Sequence, residues 1–156
     1  MKEFFLKWYH YNAWANTRVL AALKEQQVTD DKILSLLSHV LSAQLIWLHR
    51  IVVLPMPEYE LWKQYPIDQL LNMSEEASKR WLKYIEEHES FDVLLRYHNY
   101  IGHSYENKVE NIMIHIVNHG TYHRGQIALL MRERGYEPVN TDFITYDRVM
   151  SGQLKV

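Results

Sequence analysis

The chain has 156 residues, 47% of them hydrophobic and 23% charged, which suits one soluble domain over residues 1–156 with a sizeable core. A net charge of −2 and a pI near 6.5 supply no basic field to hold a phosphate backbone, so nucleic acid is not an expected partner. There is no cysteine, which excludes disulfides, thiolate ligands and Cys nucleophiles; any thiol chemistry must draw its thiol from outside. Nine histidines make the charge responsive between about pH 5 and 7. The N-terminal MKEFFLKWYHYN lacks an uninterrupted apolar stretch and a small-residue cleavage site, and no apolar run reaches the ~18 residues of a membrane span. The expected setting is the cytoplasm, with no membrane partner.

The first predicted helix covers Lys2–Lys24, where Phe5, Trp8, Tyr9, Ala13, Asn16 and Leu20 follow helical spacing without Gly or Pro. Asn12 and Asn16 either hydrogen-bond a neighbouring helix or line a cavity. Thr29-Asp30-Asp31 supplies a cap and an acidic first turn for a second helix, Asp31–Leu54, which Pro55 and Pro57 close. With His39 as origin, Leu36, Ala43, Ile46 and Leu54 fall within about 60° on the helical wheel, so His39 belongs to the buried side. His49 lies ten residues on, ~15 Å along the axis, and cannot share an ion with His39.

From Pro55 to Met73 the chain holds three prolines with Tyr59, Trp62 and Tyr65 and little periodicity, which predicts a long crossover with at most a short helical turn after Pro66. Connections of that length often cover something or act in function. Asn72-Met73-Ser74-Glu75 offers a cap for a third helix, Ser74–Glu89, with Ala77, Trp81, Tyr84 and Ile85 facing inward. Phe91–Glu106 alternates at Val93, Leu95 and Tyr97 and has Gly102 for a turn, which fits a short strand pair or an irregular arm.

The fourth predicted helix, Asn107–Arg134, dominates the chain. Asn107 with Glu110 resembles a capping box, and Arg132, Arg134, Gly135 and Pro138 mark the stop. With His123 as zero, Ile112, Ile116, His119, Ile127 and Leu130 all lie within about 40°. His119 and His123 therefore stand one turn apart on an apolar stripe. A single buried His is more often a core residue with a satisfied ring, but two such rings can grip one metal ion. His115 falls about 80° away, at the edge of the stripe. The remaining Gly135–Val156 reads as an extended tail. Four helices joined by one long crossover make an all-α four-helix bundle, whose core is a usual place for metal sites built from facing helices.

Asn118-His119-Gly120-Thr121-Tyr122-His123-Arg124-Gly125-Gln126 resembles the Asn-His-x-Thr-x-His-Arg-Gly-Gln signature of the DinB family, among the DinB/YfiT-like metalloenzymes. Tyr11-Asn12-Ala13-Trp14-Ala15-Asn16-Thr17-Arg18 is similar to that family's first-helix motif, and His39 with Ala43 and Trp47 to its second-helix pattern. The Gly135–Tyr146 stretch fits as well. The resemblance implies an up-down-down-up connection, frequent dimers, and a divalent metal, nickel or zinc, held by His39, His119 and His123. Tyr122 stands where many relatives carry another His; about 100° from His123 on the wheel, it is not an expected ligand. Superfamily relatives use such a site to activate a low-molecular-weight thiol in S-transferase or isomerase chemistry.

A three-His site without carboxylate or thiolate leaves an open coordination position, which argues for reactivity rather than a structural clamp. The expected function is a metal-dependent enzyme that activates a small thiol or water toward an electrophile, as a thiol S-transferase or hydrolase. The alternative is a non-catalytic metal-binding dimer acting as a binding or stress-response module. Gln126, Asn12 and Asn16 are candidates for orienting the rings. Arg18 and Arg124 could recognise an anionic thiol or equally form surface salt bridges. A homodimer is expected from the resemblance, from the 13% aromatic content and from the dense apolar first and last helices.

Overall fold

A computed structural model describes every residue except Met56, Tyr100 and Val156, so those positions of the expected crossover, arm and tail lie outside the described residues. The chain is mostly helical. Its described elements are α1 Lys2–Glu25, α2 Asp31–Ile51, α3 Ile67–Glu87, β1 Leu94–His98, β2 Ser104–Lys108, α4 Val109–Glu133 and α5 Phe143–Met150. The main helix contacts set α1 against α3 and α4, and α2 against the same two. No helix among the described residues is long and apolar enough to cross a membrane.

The core falls into two apolar clusters. One gathers Leu20, Leu23, Leu37, Leu41, Leu70 and Met131; the other gathers Phe5, Tyr9, Leu48, Trp81, Ile85, Ile112 and Ile116. Along α1 the change from one cluster to the other falls at buried Asn16, one turn after buried Asn12, and along α4 at buried His123 and Arg124. A polar layer therefore divides the interior, and every group in it must find a partner or lose its hydration uncompensated.

Several boundaries differ from the sequence expectation. Helix α3 begins at Ile67, seven residues before Ser74, with the Pro66 carbonyl accepting from the Gln69 and Leu70 N–H groups. Leu70 and Met73 are fully buried, and that burial carries the extra turns. The crossover is correspondingly shorter. Helix α2 stops at Ile51 and leaves Leu54 exposed. The arm is a strand pair, Leu94 opposite Lys108 through His98 opposite Ser104. That ladder takes Asn107 out of α4, whose first residue is Val109; the Asn107 side-chain Oδ1 accepts from the Tyr97 hydroxyl at 2.8 Å instead of capping.

The tail is not fully extended. Phe143–Met150 forms α5, which lies on α1 through Phe143 stacked on Trp8 at 4.7 Å and Tyr146 against Tyr11 at 5.7 Å. An eight-residue helix with Ile, Thr, Tyr and Val has weak intrinsic propensity, so aromatic packing on α1 supplies its stability.

The Asp30 cap is borne out. Its carboxylate accepts from the Ile33 N–H at 3.0 Å and pairs with Arg134 at the end of α4, tying two helix ends together. Partial burial pushes the Asp30 pKa up, but the Ile33 N–H and the Arg134 guanidinium outweigh it, and the net shift is downward. A folded-state pKa below the unfolded one means stability present above the ordinary carboxylate range and lost as pH falls through the lowered value. Asp30→Ala should therefore lose about 1 kcal/mol at pH 7 by urea unfolding. The gap between variant and wild type should close as pH falls through that lowered value, below the ordinary carboxylate range. A gap that persists unchanged to the lowest pH would exclude an ionised cap.

Candidate metal centre

His119 and His123 project from α4, and His39 reaches them from α2. The His39 and His119 Nε2 atoms stand 3.0 Å apart, and those of His119 and His123 3.1 Å apart. One ligand atom from each of the three lies within 4.8 Å of the others. The helical repeat of α4 provides one pair, and the packing of α2 on α4 provides the third ring.

Each outer ring is fixed from behind. The His39 Nδ1–H donates to the Leu61 carbonyl at 3.1 Å, and the His123 Nδ1–H donates to the Gln126 side-chain carbonyl at 2.6 Å. A carbonyl only accepts, so Nδ1 carries the proton and each neutral ring presents its Nε2 lone pair inward. Between those two lone pairs sits His119 Nε2, which can donate one proton to one of them at most. The donor set thus carries more lone pairs than protons, and a cation is what satisfies it. Nitrogens ~2.0–2.1 Å from a tetrahedral zinc would stand about 3.3 Å from one another, close to the spacing here. The residues fit a divalent metal.

Electrostatics point the same way. Burial, followed by the neighbouring His123, His39 and His115 rings, pushes the His119 pKa down to about 3. Burial also lowers His39, against the raising effect of its bond to Leu61. Both rings are neutral at pH 7, the form in which imidazole ligates a metal.

The sequence profile of the DinB family matches residues 1–153. The chain belongs to the DinB family. This DinB-family chain is similar to the protein DinB of Bacillus subtilis (strain 168), 29% identical in an alignment 163 positions long that covers 94% of this chain and 95% of that one. Its fold is similar to that of a DinB-like protein from Bacillus cereus ATCC 10987, with a TM-score of 0.66 at 16% identity, over 88% of this chain and 95% of that one.

Other expected residues of this DinB-family chain fall in different places. Tyr122 is exposed and outside the three-ring cluster. His115 is exposed at the rim, its ring 5.4 Å from that of His119. His49 lies elsewhere, donating from Nδ1 to the Pro55 carbonyl at 2.5 Å and accepting from Arg80 at 2.7 Å. His88 donates to the Tyr84 carbonyl. Arg124 is neither a surface salt bridge nor open to a ligand. It is 2% exposed and donates to Asn12 and Asn16 of α1 and to Thr121, at 2.8–3.0 Å. Asn12 and Asn16 therefore serve that buried layer, Asn12 also donating to Gln44 on α2. Arg18 lies over the Trp14 ring, 5.2 Å from its centre.

Sequence reasoning missed two groups in the crossover. Leu61 supplies the carbonyl that sets the His39 tautomer, and Trp62 lies flat on the His39 ring at 3.6 Å and 8°. A Trp in a proline-bounded connection was the available signal for the second. A backbone carbonyl leaves no signal at all.

Proposed function

We propose that this DinB-family protein is a divalent-metal-dependent enzyme in which His39, His119 and His123 hold nickel or zinc and a small thiol or water is activated toward an electrophile, as in a thiol S-transferase or a hydrolase. The observation that carries the reading is the convergence of three imidazoles from two helices, two of them held with Nε2 inward by a carbonyl behind Nδ1. A divalent ion there keeps its full charge, with no carboxylate or thiolate ligand, and supplies the acidity that lowers the pKa of a thiol or water presented to it.

The chain's own part is orientation and exclusion. Leu61 and Gln126 hold two rings in one tautomer, so the donor atoms need no rearrangement. Trp62 covers the His39 ring on one face and restricts water there. On the side of the rim His115 is exposed and His119 half-buried, so solvent reaches the edge of the cluster there. The chain has no cysteine, so the reacting thiol is a separate molecule. We read the four long helices as an up-down-down-up four-helix bundle. One apolar cluster joins the N-terminal halves of α1 and α4 to the C-terminal halves of α2 and α3, which supports that order and requires a long α2–α3 crossover.

The test supplies zinc- or nickel-loaded protein with cysteine or glutathione and 1-chloro-2,4-dinitrobenzene, and separately with 4-nitrophenyl acetate. A rate above the protein-free blank in one of them, abolished by chelation and by His123→Ala, is expected. Stoichiometric metal with no rate in any assay would favour a non-catalytic binding module.

A further inference from the structure

The crossover between α2 and α3 carries a large side chain that the core does not use. Trp62 is 65% exposed, so burial of its own surface does not account for it. The backbone that presents it is nevertheless held on both sides. The Tyr65 N–H donates to the Ser38 hydroxyl at 3.0 Å, the Glu60 N–H donates to the Tyr65 hydroxyl at 2.8 Å, and the Tyr59 hydroxyl donates to Glu76 at 3.0 Å. The Leu61 carbonyl, next to Trp62 in the chain, accepts from the Ser42 hydroxyl at 3.2 Å as well as from His39. Ser38 precedes His39 on α2 and Ser42 follows it by about one turn, so the crossover is pinned to the same stretch of helix that carries the ligand.

What this strap presents to His39 is an aromatic face. The Trp62 and His39 ring centres are 3.6 Å apart with the planes 8° from parallel, which leaves almost no sideways offset. The contacts of His39 with His119 and His123 are edge-on instead, at 64° and 86°. Two neutral aromatic rings favour offset or edge-on arrangements with centres about 4.5–7 Å apart, because their electron-rich faces repel. Direct superposition suits an electron-rich face on an electron-poor partner, and indole offers the best such face to positive charge. A divalent ion on His39 Nε2 draws electron density out of the imidazole and makes it that partner.

We propose that Trp62 is a positioning residue of the metal centre: its indole, face-on to His39, favours the ion-bound form of that imidazole and strengthens the hold on the metal. The inference rests on the metal-site reading. The coupling is reciprocal, so whatever the ion adds to the stack, the stack adds to the affinity for the ion. Groups behind a metal ligand change affinity by about 10–100-fold, and a ring on one of three ligands, open to water on its far side, belongs at the low end.

The test reads zinc affinity of metal-stripped protein by competition with a chromophoric chelator, for wild type, Trp62→Phe and Trp62→Leu, with urea unfolding of the metal-free forms alongside. Trp62→Leu keeps apolar cover without an aromatic face and should bind zinc about ten-fold more weakly. Trp62→Phe should recover most of that loss. Metal-free unfolding midpoints should match wild type in both variants, because the side chain is exposed. Zinc held by Trp62→Leu as tightly as by wild type, a Phe variant no better than the Leu one, or a lowered metal-free midpoint that marks ordinary packing would each overturn the role of the indole and leave the three-histidine site standing. A wild type that binds no zinc would overturn both, so the two failures are told apart.

Discussion

Zinc added to chelator-treated wild-type protein is expected to raise its unfolding midpoint by about 8–16 °C. A ligand that binds only the folded state at a thousand times its Kd contributes ~4.1 kcal/mol, and a chain of this size gains roughly 2–4 °C per kcal/mol. The donor geometry exists only in the folded chain, because His39 is 80 residues from His119 and reaches it through the packing of α2 on α4. His39→Ala, His119→Ala and His123→Ala should each remove most of the shift, since two imidazoles without the third give a much weaker site. Differential scanning fluorimetry with and without zinc reads the effect directly. A shift of equal size in all three variants would place the ion elsewhere.

The second large effect is in the polar layer. Arg124 is a buried cation whose described partners are all neutral: the Asn12 and Asn16 carbonyl oxygens and the Thr121 hydroxyl, with Tyr11 at 3.5 Å. Burial pushes its pKa down. Arg124→Met removes a desolvated charge, which favours the variant, but strands two buried carbonyl oxygens at about 1–3 kcal/mol each. The second effect should win, with a net loss of about 2–4 kcal/mol in urea unfolding.

Gly120 is coupled to the same group. A Cβ there would stand 2.8 Å from Arg124 Nη1 and 2.9 Å from Asn12 Oδ1. Alanine is the better helix former by ~1 kcal/mol, yet Gly120→Ala should destabilise, because the guanidinium it displaces is pinned by its hydrogen bonds. In the double variant the losses should fall well short of their sum. Strict additivity would mean that the glycine serves some other purpose.

What the sequence made legible follows from how local each feature is. The His119–His123 pair depends only on helical repeat, and the buried side of His39 only on the apolar spacing of Leu36, Ala43 and Ile46, so both could be read before any coordinates. Arg124 was misplaced for a tertiary reason. At about 100° from His123 on the wheel it points toward α1 rather than α2, and only helix packing tells whether that direction is water or protein. The start of α3 was read late because Asn72-Met73-Ser74-Glu75 has the composition of a cap, whereas burial of Leu70 and Met73 continues the helix back to Ile67. Helix α5 has no local signal strong enough to announce it; Phe143 and Tyr146 find Trp8 and Tyr11 only once α1 is in place. Asn107 looked like a cap and is instead a strand residue, because the partner strand at Leu95 claims its backbone.

Elemental analysis of protein purified without chelator is the sharpest single measurement. Wild type should carry close to one divalent ion per chain, His39→Ala, His119→Ala and His123→Ala should each lose most of it, and His49→Ala and His88→Ala should keep it. Equal metal content across all five variants, or a wild type that holds none, would contradict a shared ion at the three inward-facing nitrogens.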